Sequence, residues 1–163
     1  MAIIGILGGM SATSTALYYT ALDRDARARL GGLHGADLLI RSVDFGQIEA
    51  LQRAGDWERA GRLLAGEAAR LEAAGAALVI LATNTMHKVA PHIEAALGVP
   101  FLHIADATAA ELLAAGHARP GLMATRYTME EDFYTGRLRA AGLSPVIPEA
   151  ADRAEIHRII FEE

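Results

Sequence analysis

Cysteine is missing from all 163 residues, which excludes disulfides, thiolate metal sites and a thiol nucleophile from the chain as given. Cations are short too: 15 Lys and Arg against 20 Asp and Glu leave a formal charge of -5. A nucleic-acid binder needs a basic surplus to displace counterions, so nucleic acid is not the expected partner. No apolar run is long enough to span a bilayer. The opening MAIIGILGGMS has neither the basic flank nor the small-residue cleavage site of a secretory leader. The expectation is a cytoplasmic protein with no membrane partner. What the chain does have is apolar bulk. It is 52% hydrophobic and 21% charged, enough for one compact domain or for a domain and part of another.

Short apolar runs alternate with longer helical patterns. The segments 2–7, 36–43, 77–82, 100–104, 121–125 and 145–147 have strand length, and three are nearly continuous in apolar residues, as in parallel strands buried on both faces. Between them lies DWERAGRLLAGEAARLEAAG, where Asp56 fits an N-cap, Leu63, Leu64, Ala68 and Leu71 form one stripe, and Gly75 fits the first position past the helix. Strands alternating with helices of this length imply right-handed βαβ units and an α/β fold built on a parallel sheet.

A weak internal echo links IIGILGGMSATSTALYY to GLMATRYTMEEDFY. Each runs from a strand through a small-residue turn into a helix, which fits a duplicated architecture and equally fits two unrelated βα units. The last residues, ADRAEIHRIIFEE, read as a helix with Ile156, Ile159 and Ile160 on one side, but no Gly, Asn or Pro stops it and two glutamates oppose the helix dipole. The expectation is a cut chain, with a frayed terminal helix as the alternative.

GILGGMS follows the first strand without matching G-x-G-x-x-G or G-K-[ST], so a dinucleotide site is not expected. A turn binding a small carboxylate through the N–H groups of Met10 and Ser11 suits the residues, and so does a plain tight turn. ILATNTMHK places Thr83, Asn84 and Thr85 after the third strand, at the carboxyl edge where open α/β sheets bind ligands. Two hydroxyls and an amide there could hold the carboxylate and ammonium of an amino acid, or could cap the next helix. The six histidines make no metal motif: His87 and His92 lack i, i+4 spacing, His103 with Asp106 is generic, and most read as surface or capping residues. No G-x-S-x-G elbow occurs. The carboxylates of MEEDFY read as a solvated first helical turn.

Taken together, IGILGGMS, GGLHGADLLIRSVDF, ATNTMHKVAPHIE, FLHIADAT and TRYTMEEDFY resemble the aspartate/glutamate racemase family over nearly the whole chain. The likeness is to broad-specificity members that carry Thr in place of the first catalytic Cys. The resemblance implies a duplicated pair of α/β domains, here residues 1–104 and a linker helix with the start of a second domain over 105–163. It also implies a homodimer or larger assembly, a small amino-acid substrate, and racemisation without any cofactor or metal. By the resemblance Thr83 is the acid/base residue, with Met10, Gln52, Asn84 and Thr85 as substrate contacts from the first half and Thr125 and Thr128 from the second.

Inversion at an α-carbon needs one group to take the proton on one face and another to return a proton on the other. A thiol, with a pKa of about 8.5, is readily tuned for this; a Thr hydroxyl is a weaker base. The family's second catalytic Cys sits in a Gly-Cys-Thr-Glu motif that this sequence lacks, and Ala124 stands where the family often has Gly. The expectation is therefore a C-terminally incomplete racemase crippled in two-base inversion. The alternative is a non-catalytic amino-acid-binding remnant or a structural partner of a full-length subunit.

Overall fold

The computed structural model describes residues 2–162. They divide into two compact units, the first ending at Leu102 and the second beginning at His103. The first unit is a βαβ assembly: β1 (Ile4–Gly8), α1 (Ala12–Leu30), β2 (Leu38–Ser42), α2 (Phe45–Ala54), α3 (Trp57–Ala73), β3 (Leu78–Leu81), a 3-10 turn (Thr85–Val89), α4 (Ala90–Ala96) and β4 (Phe101–Leu102). The strands form one parallel sheet in the order β2-β1-β3-β4. The strands are shorter than the apolar runs that predict them.

Alternation along the strands divides the core between the two faces of the sheet. Ile6 and Ile80 pack with Tyr18 and Leu22 of α1. Leu7, Val79 and Leu81 pack on the opposite face with Leu64, Ala68 and Leu71 of α3 and Ile93 of α4. Both faces of β1 and β3 are covered, which is why those strands read as unbroken apolar runs. Leu64 and Ile93 are fully buried, each contributing roughly 1.5–3 kcal/mol by burial. The α3 signals hold in detail. Asp56 Oδ1 accepts from Arg59 N at 3.1 Å, and Gly75 has φ +106° just past the last turn.

The second unit contains α5 (Ile104–Ala114), α6 (Arg126–Glu130), α7 (Asp132–Ala140) and α8 (Ala150–Glu162). Its core joins Ala105 and Ala109 of α5 to Tyr134 and Leu138 of α7 and to Leu143. The strands expected over 121–125 and 145–147 reduce to one parallel bridge, Gly121 with Val146. His103, expected to lie within a strand, instead N-caps α5 by accepting from Ala105 N at 3.1 Å. MEEDFY is not one helical turn: the chain breaks at Glu131 (φ -99°, ψ 152°), and Glu130 closes α6 and pairs with Arg153 of α8 at 2.8 Å. Ile159 and Ile160 of α8 are exposed, and Ile156 is half-buried.

Candidate active site

The carboxyl edge of the first unit's sheet brings three loops side by side. Val43 N donates to Gly8 O at 3.0 Å and Ala82 N donates to Leu7 O at 2.9 Å, so the turn after β1 lies between the ends of β2 and β3. Met10 and Thr83 therefore stand on the same edge. The turn is built to hug its neighbours. Gly9 takes φ +90°, and a Cβ there would come 2.5 Å from Val43 N. A Cβ on Gly8 would come 2.5 Å from Thr15 Oγ1.

The start of α1 is organised by hydroxyls. Ser11 Oγ accepts from Ser14 N at 3.1 Å, Gly9 N donates to Thr15 Oγ1 at 3.0 Å, and that hydroxyl donates to Ser11 O at 2.9 Å. The orphan N–H groups of the first turn that these caps leave over form the positive end of the helix dipole, a setting suited to a carboxylate. The Met10 side chain is core, only 5% exposed, so what it offers at this edge is its main chain. Nearby cations are engaged by the protein itself. Arg41 Nε meets Glu67 Oε2 at 2.6 Å, holding the Glu67 carboxyl below its ordinary pKa chiefly through that hydrogen bond. Lys88 Nζ lies 4.0 Å from the centre of the Trp57 ring.

The loop after β3 shows what the apolar run leads to. Asn84 opens the 3-10 turn but makes no side-chain capping bond. Thr83 is half-buried, Asn84 exposed and Thr85 buried. Most of the histidines are expected at the surface or in caps, but His87 is only 1% exposed. Its Nδ1 lies 2.7 Å from Thr83 O, and its ring centre lies 5.8 Å from that of Phe101. Gln52, on α2, is 6% exposed; burial of an amide two turns into a helix is not visible in its sequence neighbourhood. No group of three or more metal-ligating side chains occurs among the described residues.

Thr125 and Thr128 belong to the second unit. Thr125 N-caps α6, and its hydroxyl lies 3.2 Å from that of the fully buried Thr128. The Thr125 hydroxyl thus caps the helix and lies within hydrogen-bond distance of the Thr128 hydroxyl.

With this geometry in hand, the comparisons decide the family. The model of the Asp/Glu/hydantoin racemase family matches residues 7–163. The chain belongs to that family. It is accordingly a racemase-type enzyme, an isomerase. A candidate Asp/Glu racemase from Yersinia pestis is 50% identical with a TM-score of 0.93, and an aspartate racemase homologue from Pyrococcus horikoshii OT3 is 36% identical with a TM-score of 0.85. Each alignment covers 100% of this chain and 71% of the other. An aspartate racemase from Picrophilus torridus shares the fold at 24% identity and a TM-score of 0.75, over 99% of this chain and 69% of its own. No helix among the described residues is long and apolar enough to cross a membrane.

Proposed function

We propose that this racemase-family chain moves the α-proton of aspartate or glutamate without pyridoxal phosphate or metal, using Thr83 as the acid/base group on one face of the substrate. The observation that carries the reading is the adjacency of two loops: the α1 start, with its main-chain donors, and Thr83-Asn84-Thr85 share one sheet edge. The α-carboxylate sits on the N–H groups of Met10 and its successors, with Gln52, Asn84 and Thr85 as further contacts. Thr125 and Thr128 are the contacts assigned to the second unit. Thr83 Oγ1 takes the α-proton as its own hydroxyl proton passes to a solvent water, while the electron pair stays on carbon and spreads into the carboxylate. Preorganised amide donors then stabilise the charge as it develops. Reprotonation by the same hydroxyl restores the starting enantiomer with a solvent-derived proton.

Inversion needs a second group on the opposite face. No thiol of these 163 residues supplies it. The reading therefore expects solvent exchange to exceed inversion. The second reading, a non-catalytic amino-acid binder, is favoured by the weak basicity of a Thr hydroxyl. Self-association accompanies the proposal, supported by Leu17, Leu33 and Met123 at 64%, 98% and 73% exposure; cytoplasmic residence fits the composition. The test follows α-proton exchange of each enantiomer in heavy water by NMR, beside calorimetric binding. Exchange retained by Thr83→Ser and lost by Thr83→Ala supports the reading; binding with no exchange supports the binder.

A further inference from the structure

His87 is a buried titratable group in the segment that follows Thr83, and two of its groups face two consecutive peptide carbonyls. Its backbone N donates to Asn84 O at 3.0 Å. Its ring Nδ1 lies 2.7 Å from Thr83 O. A carbonyl oxygen can only accept, so Nδ1 carries the proton and the ring is held as one tautomer. At 1% exposure, an unbonded ring N–H would carry a substantial desolvation cost. Phe101 of β4 packs against the same ring, with planes inclined at 41°, so the sheet itself fixes the imidazole.

The consequence falls on the loop. With the carbonyls of Thr83 and Asn84 both turned towards His87, these two peptide units cannot rotate freely, and the Thr83 Cα–Cβ bond is held in one direction. Asn84 stays at φ -86°, ψ -56° with its side chain outward. A proton-transfer group must be held to a fraction of an ångström, and misplacement of about 1 Å costs roughly 10²-fold in rate.

We propose that His87 is a positioning residue for Thr83: a ring N–H clamp that sets the Thr83 hydroxyl without touching substrate. The inference rests on the role proposed for Thr83, and the measurements separate the two. In the unmodified 163-residue protein, long-range nitrogen–proton NMR of the histidine rings should show His87 as the Nδ1–H tautomer, and three-bond couplings should show one Thr83 χ1 rotamer. His87→Asn places an amide N–H near the Nδ1 position, and His87→Gln places one near Nε2. The Asn variant should keep the single rotamer and most of the α-proton exchange. The Gln variant should average the rotamer and lose roughly 10–10²-fold in kcat with little change in KM.

An Nε2–H tautomer in the unmodified protein overturns the clamp, as does equal averaging in the two variants. If either variant fails to fold, the tautomer of the unmodified protein decides. If Thr83→Ala leaves exchange undiminished, the acid/base reading falls, while the tautomer and the rotamer still decide the clamp.

Discussion

Replacing Gly9 by Ala tests how the turn after β1 is held. The residue sits at φ +90°, and the added Cβ would meet Val43 N at 2.5 Å and Ser42 Oγ at 2.7 Å. Left-handed backbone costs a residue with a side chain about 1–2 kcal/mol. Forcing a methyl against neighbours that cannot retreat costs about 1–3 kcal/mol, and Val43 is one such neighbour, because its N–H pairs with Gly8 O at 3.0 Å. The sum is about 3 kcal/mol. For a chain of this length each kcal/mol shifts the thermal midpoint by roughly 2–4 °C, so a drop of roughly 6–12 °C is expected. The contrast is Gly66, in the middle of α3 with open space around it. There Ala should stabilise by about 0.5–1 kcal/mol, because glycine is a poor helix former. Thermal unfolding followed by circular dichroism compares the two variants with the parent. A Gly9→Ala midpoint within about 1 °C of the parent would refute the reasoning, since strain and crowding both predict a far larger loss.

Asp56→Ala removes the side-chain acceptor at the start of α3 and should cost about 1 kcal/mol in urea unfolding with an unchanged slope, while Asp56→Asn should cost far less. His157 is held below the ordinary imidazole pKa first by burial and then by Arg126, with Glu130 opposing. A histidine lowered on folding contributes stability that is fully present above its unfolded pKa and is lost as pH falls through the folded value. The thermal midpoint should therefore decline between about pH 7 and pH 5, and His157→Gln should flatten that decline.

Local signals were the legible ones. Asp56, Gly75 and the stripe of Leu64, Ala68 and Leu71 act within one helix, so spacing alone locates them. The α/β class and the edge position of Thr83 also follow from the alternation of segments. Pairing across the chain is different. Whether 121–125 and 145–147 form strands depends on partners distant in sequence, and the chain makes only the Gly121–Val146 bridge. The demand for glycine at position 9 comes from Val43, more than thirty residues on, and no turn motif reveals it. A 3-10 turn and the Phe101 ring bury His87, and TNTMHKV carries no helical periodicity that would reveal it. The Met10 side chain went to the core by the same kind of tertiary contact, leaving only its main chain for the site.

The central claim is that Thr83 carries a proton to and from a substrate α-carbon without cofactor. Its most direct measure is the decay of the α-proton signal of aspartate or glutamate in heavy water, free of pyridoxal phosphate and metal, for the parent chain and Thr83→Ala. The account predicts exchange by the parent and a loss of roughly 10²–10⁴-fold in the variant. Exchange that continues at the parental rate after Thr83→Ala would contradict it.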